Sequence, residues 1–364
     1  MSSQLVIGLM SGTSLDGIDA VLTAIDGKNC QLLHTCYLPY SDELRSALLA
    51  LHVSGADELE RSALLGNLLA RSYAESVHRL LKQAEVEASQ ILAIGCHGQT
   101  IRHRPELGYT LQIGNPALLA ELTAITVVSD FRSRDVAAGG QGAPLVPAFH
   151  QAVFHNEKSH RVIVNIGGIA NLTDLPVAGQ VRGFDCGPGN LLMNAWAQRH
   201  LGKPHDEGGQ WAASGRVITE LLEALLTHPF LLEPPPKSTG RDTFHMAWLE
   251  QYVRPEYAAI DVQRTLLEFT ALTISMAISE HCAAVDEVFL CGGGAHNLAL
   301  VQRLGQLMQP TKIGLTDDLG ISVDWVEAVA FAWLARQTMH GEPGNLPAVT
   351  DAAGLRILGA IYPA

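Results

Sequence analysis

Short apolar runs alternate along this chain with glycine-rich turns and with stretches of helical periodicity. Leu5-Val6-Ile7 is long enough for a buried strand, and Ile18, Ala20 and Val21 resume the pattern after a turn holding Gly8, Ser11, Gly12, Thr13, Ser14, Asp16 and Gly17. The pattern predicts strand–turn–strand. Leu59, Ala63, Leu68, Leu69, Tyr73, Val77, Leu80 and Leu81 recur at helical spacing over residues 58–84. Ile91–Gly95 reads as a buried strand followed by a turn-like His97–Thr100. Thr110–Ile113 and Ile125–Ser129 read as further strands, and Gly139–Gly142 as a flexible loop. Arg161–Ile166, the Gly167-Gly168 turn and Ala170–Thr173 repeat the opening plan, which suggests an internal duplication. Val181–Phe184 predicts a short strand leading to Gly187-Pro188-Gly189 and a helix from Asn190. Residues 263–284 read as a long buried helix, and Val288–Cys291 as a strand entering Gly292-Gly293-Gly294. Residues 324–336 are apolar nearly all round, hence an internal helix. The proline-rich residues 233–236 read as a surface loop. Strands alternating with helices predict an α/β architecture.

The length of 364 residues favours two domains, and 47% hydrophobic against 17% charged residues allows large cores. Asp and Glu outnumber Lys and Arg by 37 to 24, for a formal charge of -13, which argues against a nucleic-acid or anionic-membrane surface. A nucleotide held by a local backbone cradle remains compatible with that field. The N-terminus has no basic, signal-like segment and no apolar run approaches about 18 residues, so a cytoplasmic protein is expected. The six cysteines are scattered without a C-x-x-C pair, and the fifteen histidines form no H-E-x-x-H. Structural zinc and a disulfide framework are not expected.

Neither G-x-x-x-x-G-K-[ST] nor a strand-following G-x-G-x-x-G occurs, so P-loop and dinucleotide-binding signatures are absent. Nucleotide binding would rest on the glycine turns at Gly8–Gly17, Gly167–Gly168 and Gly292–Gly294. Small residues let backbone N–H groups approach an anionic phosphate tail. An ordinary hairpin explains the first turn equally well when it is taken alone. Three such turns, each after an apolar strand, favour two hairpins pinching a triphosphate with a third turn beside adenosine.

That order resembles the acetate and sugar kinase/Hsp70/actin superfamily. GLMSGTSLDGID at 8–19, GCHGQT at 95–100, NIGGIANLT at 165–173, FDCGPGN at 184–190 and CGGGAHN at 291–297 together resemble the anhydro-N-acetylmuramic acid kinase family over nearly the whole chain. The resemblance implies an α/β fold of two ribonuclease H-like domains with the active site in the interdomain cleft. It sets an N-terminal domain at 1–157, joined by the tail 341–364, and a C-terminal domain at 158–340. It implies a kinase that takes 1,6-anhydro-N-acetylmuramic acid, ATP and water to N-acetylmuramic acid 6-phosphate and ADP in cell-wall recycling. The ATP contacts it implies are Gly12, Thr13, Ser14, Leu15, Asp16, Gly17, Ile18, Asp19, Gly167, Gly168, Asn171, Gly292, Gly293, Gly294 and Asn297. Assembly into a homodimer is left open.

Opening the anhydro bridge needs a base for water, and phosphorylation needs the freed O6 aimed at the γ-phosphate. Asp185, at a strand end before a glycine turn, is the expected base, and the family's matching Asp has this role. Turn formation or helix capping is the competing reading. Arg132 offers a fork for the lactyl carboxylate, with Asp135 beside it. The alternation F-R-S-R leaves Arg134 on the same side, and a surface pair with Asp130 or Asp135 is the alternative. Gln99 and Thr100 are candidates for sugar hydroxyls or the N-acetyl group, against a plain strand-end turn. His97 reads as structural. Glu327 either meets a substrate hydroxyl or completes a capping box with Asp324. Magnesium is expected on the phosphates, with Asp16 and Asp19 available and no ligand assigned. Other readings are an actin- or Hsp70-like ATPase, a kinase for another anhydrosugar, and a glycoside hydrolase. The last would leave the phosphate hairpins unexplained.

Overall fold

A computed structural model describes residues 3–12 and 15–364; Thr13 and Ser14 lie outside the described residues. The chain divides into two compact units, Met1–Val153 with Trp325–Ala364, and Phe154–Asp324.

The first unit is built on β1 (Gln4–Met10), β2 (Gly17–Asp26), β3 (Asn29–Pro39), β4 (Ile91–Cys96) and β7 (Val127–Ser129), with β5 (Gln99–Arg104) and β6 (Tyr109–Ile113) as a separate pair. The main sheet runs β3-β2-β1-β4-β7, and the last strand of the chain, Ala360–Tyr362, adds to its β7 edge. β1–β2–β3 is an antiparallel meander, while β4 is parallel to β1 and β7 to β4. Helix Glu58–Ala84 packs on one side through Leu65, Leu69, Tyr73, Val77 and Leu80, following the helical periodicity. Helix Val326–Met339 lies on β1, β2 and β4 and is buried nearly all round.

Two glycines explain how closely that second helix sits. A Cβ on Gly8 of β1 would run into the Ala328 carbonyl, and one on Gly95 of β4 into the Phe331 carbonyl. Gly8 is therefore a mid-strand packing residue rather than part of the turn. The same contacts correct the domain boundary. The segment returning to the first unit begins at Trp325, not at 341, because this helix supplies the cover for β1 and β4.

The second unit contains β8 (Arg161–Ile166), β9 (Ile169–Leu175), β10 (Arg182–Pro188), β11 (Glu287–Cys291) and β12 (Lys312–Leu315). Its sheet order is β10-β9-β8-β11-β12, with β8–β9–β10 antiparallel, β11 parallel to β8 and β12 parallel to β11. This is the order and direction of the first unit's five core strands. The two units thus share one duplicated α/β sheet plan. Helix Ala259–His281 packs on β10 and on helix Leu191–Leu201 and buries Leu266, Leu267, Phe269 and Ile274. Among the described residues, no helix is long and apolar enough to cross a membrane.

Candidate active site

In the first unit, the end of β1 is tied to the turn after β4. Ser11 Oγ donates to the Gly98 carbonyl (3.1 Å) and is paired with Tyr73 Oη (2.7 Å). Gln99 Nε2 donates to the Gly12 carbonyl (3.1 Å), and Tyr40 Oη donates to Gln99 Oε1 (3.5 Å). Gln99 is fully buried. Its amide ties the β1–β2 turn to the start of β5. Thr100 is the second residue of β5, and its hydroxyl accepts from Gln112 Nε2 (3.2 Å).

The expected ATP residues of this turn fall into two groups. Leu15 and Ile18 are buried side chains, and Leu15 holds a left-handed φ of 56°. Gly17 lets Tyr37 and Leu38 of β3 approach. These three shape the turn through packing. Gly12 and Asp19 are half-buried and Asp16 is exposed. They remain positions that a phosphate or its counter-ion can reach.

Arg132 and Arg134 are separated by burial: Arg134 is exposed, while Arg132 is half-buried and held on two sides. Its Nη1 donates to the Gly142 carbonyl (2.8 Å), and its Nε and Nη2 donate to His97 Nε2 (3.1 and 2.9 Å). Burial pulls its pKa down to about 10, opposed by the charges of Glu327 and Asp135. Asp135 is fully buried and saturated. Its Oδ1 accepts from Asn345 Nδ2 and Thr350 Oγ1 (both 2.8 Å), and its Oδ2 from the Gly142 N–H (2.8 Å). It knits the Gly139–Gly142 loop to residues 345–350.

Glu327 occupies the first turn of helix Val326–Met339. The capping-box alternative fails here: Trp325 is the N-cap residue and makes no side-chain cap, while Asp324 Oδ1 accepts from His296 Nε2 (2.7 Å). Burial raises the Glu327 carboxyl above its usual range, and the Arg132 charge opposes that rise. A half-buried carboxylate facing Arg132 is what remains.

In the second unit, the β8–β9 turn is clamped from behind. The N–H groups of Gly189 and Leu191 donate to the Gly168 carbonyl (2.9 and 3.2 Å), and Asn190 N–H donates to the Gly167 carbonyl (2.8 Å). Asn190 Nδ2 donates to the Ile166 carbonyl (3.1 Å). The outer side stays open, since a Cβ on Gly168 would meet nothing nearer than Leu191 Cβ at 3.9 Å. After β11, Gly292 and Gly294 are needed for packing, against Asn165 and Ile166. Gly293 is open, with Asn190 Nδ2 at 3.7 Å from an added Cβ. Asn297 caps helix Leu298–Leu307 by accepting from Leu300 N–H (3.1 Å), a structural use of an expected adenosine contact.

Asn165, Asn171 and Asp185 are cross-strand partners on β8, β9 and β10, forming one polar row of half-buried side chains. The register slips by a residue between Asp185 and Gly187, a bulge that re-aims the strand beside Asp185. Asp185 Oδ2 accepts from Thr239 N–H (2.8 Å) and Ser238 Oγ (3.1 Å), and its own N–H donates to the Lys237 carbonyl (3.1 Å). Burial raises its pKa to about 6; the Thr239 and Ser238 bonds and the Lys237 charge hold it from going further. Such a carboxylate is ionised at neutral pH yet basic enough to take a proton from water. Neither the turn nor the capping reading accounts for it, since it sits within β10.

The sequence model of the anhydro-N-acetylmuramic acid kinase family matches residues 4–364. The chain belongs to that family. An anhydro-N-acetylmuramic acid kinase of Nitrosomonas europaea is 59% identical over 98% of this chain and 99% of its own length. The enzyme of that name from Nitrosospira multiformis is 57% identical over 100% of both chains. Among solved structures, the activator of the 2-hydroxyisocaproyl-CoA dehydratase from Clostridium difficile matches with a TM-score of 0.48 at 11% identity, over 93% of this chain and 96% of that one. The family's long motifs coincide with the two clamped turns and the Asp185 bulge.

Sequence reasoning missed the 237–239 clamp on Asp185, the polar neighbours Asn165 and Asn190, and the use of His97 by Arg132. Only the clamp left a signal: Lys237-Ser238-Thr239-Gly240 follows the proline loop, but nothing local ties it to a strand some fifty residues earlier.

Proposed function

We propose that this chain transfers the γ-phosphoryl group of ATP to O6 of 1,6-anhydro-N-acetylmuramic acid while water opens the anhydro bridge. Asp185 carries this reading: one carboxylate oxygen is fixed by Ser238 and Thr239, and burial raises its pKa to about 6. In the reaction Asp185 takes a proton from water as the water oxygen bonds to the anomeric carbon. The C1–O6 bond breaks, its electron pair stays on O6, and O6 attacks the γ-phosphorus as ADP leaves. Arg132 receives the lactyl carboxylate and Glu327 a sugar hydroxyl.

Gly12, Gly167, Gly168 and Gly293 offer backbone to the nucleotide. Magnesium bound with ATP would neutralise the phosphate oxygens. Among the described residues no three His, Cys, Asp or Glu side chains converge as a metal cage. Asp16 and Asp19 suit a hard cation that keeps its waters and phosphate oxygens, and these two would hold it. The location of the reaction is expected to be the cytoplasm.

ADP release measured with 1,6-anhydro-N-acetylmuramic acid, N-acetylmuramic acid and N-acetylglucosamine tests the proposal. A strict preference for the anhydrosugar supports it; equal or absent turnover on all three refutes it. The state of Asp185 adds a pH signature. The active form is the carboxylate, so kcat/KM should be level above the pKa and fall as pH drops through about 6. The limiting slope is about tenfold per pH unit. A profile flat down to pH about 4, the ordinary carboxylate range, would remove Asp185 as the base.

Gly168→Val tests the second turn. A Cβ at Gly168 has room, with Leu191 Cβ at 3.9 Å, and the valine side chain is expected to fill the approach to the amides. ATP affinity measured by calorimetric titration should fall about tenfold or more. An unchanged Kd would place the phosphates elsewhere.

A further inference from the structure

The side chain that fixes Arg132 is a histidine with no step of its own in the reaction. His97 follows β4 and is buried, its ring 4.7 Å from that of Phe331 between centroids. Its Nδ1 lies 2.7 Å from the Gly98 carbonyl oxygen. A carbonyl only accepts, so the hydrogen-bond network assigns the ring proton to Nδ1. Nε2 is left with its lone pair, which faces Arg132 Nε and Nη2 at 3.1 and 2.9 Å. Burial and the Arg132 charge push the His97 pKa down to about 3, so the acceptor form persists at working pH.

The consequence lies in what remains of the guanidinium. Arg has five N–H donors. His97 takes those of Nε and one from Nη2, and the Gly142 carbonyl takes one from Nη1. One donor stays on each terminal nitrogen. Two donors on separate nitrogens form the fork that a carboxylate accepts with both oxygens. A free arginine could turn this fork elsewhere, including toward Glu327, whose charge acts on Arg132.

We propose that His97 is a positioning residue for substrate selection: as a neutral acceptor it holds the Arg132 guanidinium in place with one donor left on each terminal nitrogen, so that sugars bearing a carboxylate are preferred over those without one. This rests on the reading that Arg132 meets the lactyl carboxylate.

The full chain carrying His97→Gln, His97→Asn or Arg132→Ala is tested on 1,6-anhydro-N-acetylmuramic acid and on 1,6-anhydro-N-acetylglucosamine, which lacks the lactyl group. Glutamine can set its carboxamide oxygen near the Nε2 position, and asparagine its amide N–H near the Nδ1 position. Asparagine thus loses the Arg132 bond and keeps the Gly98 side. The expected result for His97→Asn is a KM for the lactyl sugar raised about tenfold or more, the loss of about one charge-assisted hydrogen bond. Its kcat and its calorimetric Kd for the other sugar should stay within about threefold. His97→Gln should recover most of the loss. Equal weakening of both sugars, a fall confined to kcat, or no advantage of Gln over Asn would reduce His97 to a packing role. The Arg132→Ala arm separates the two readings. If that variant keeps the parent KM for the lactyl sugar, the carboxylate assignment of Arg132 is what fails, and the selection proposal falls with it.

Discussion

Asp185→Asn should lower the rate of anhydrosugar phosphorylation by about three orders of magnitude, within the usual range for removing a general base. The substitution isolates the chemistry. The Asn carboxamide oxygen can still accept from Thr239 N–H and Ser238 Oγ, which hold the native Oδ2 at 2.8 and 3.1 Å. The strand register and the bulge at residues 185–187 depend on backbone bonds that the change leaves alone. What disappears is the ability to take a proton from water. ATP binding should persist, with a calorimetric Kd within about threefold of the parent, because the turns at Gly12, Gly167 and Gly293 are untouched. The melting temperature should not fall, since a desolvated carboxylate is replaced by a neutral group. Turnover within about tenfold of the parent would place the base elsewhere.

Gly8→Val should be the most damaging change to stability, although it lies outside the reacting groups. Any Cβ at this position collides with the Ala328 carbonyl, and the neighbouring backbone N–H of Ala332 is also close. Both belong to helix Val326–Met339, whose own hydrogen bonds leave little room to yield. The helix must lift from β1 and β4, opening contacts made by Val329, Phe331 and other buried side chains. Overpacking of this kind costs about 3 kcal/mol or more. In a unit of this size that corresponds to a fall in melting temperature of roughly 6–12 °C. Denaturant unfolding measures the same loss as a shift of midpoint at constant slope. A variant as stable as the parent would mean that the helix does not lie on Gly8.

Much of the fold was legible in the order of residues because its signals are local. The helical periodicity of 58–84 predicts helix Glu58–Ala84 with the same bounds, and the apolar run 161–166 predicts β8. The duplicated strand–turn–strand plan foreshadows two sheets of one order. Asp185 stood out because its chemistry and its motif point the same way.

Other assignments depended on distance in space. Gln99 and Asp135 look like binding residues in sequence because they are polar and flank strand ends. Their partners, Gly12 for the one and Asn345 and Thr350 for the other, are remote in the chain, so nothing local to either residue announces these bonds. Glu327 stands at capping-box spacing from Asp324, but His296 takes that aspartate.

The sequence by itself determined the alternation of strands and helices, the glycine turns and the identity of the proposed base, since backbone propensity and side-chain chemistry are carried by each residue and its near neighbours. Only the tertiary structure decided which glycines are open and which are filled by a neighbouring backbone, and which polar groups are already satisfied. It also decided that residues 325–340 belong to the first unit. The physical reason is that burial, desolvation and hydrogen-bond saturation depend on groups brought together from distant parts of the chain.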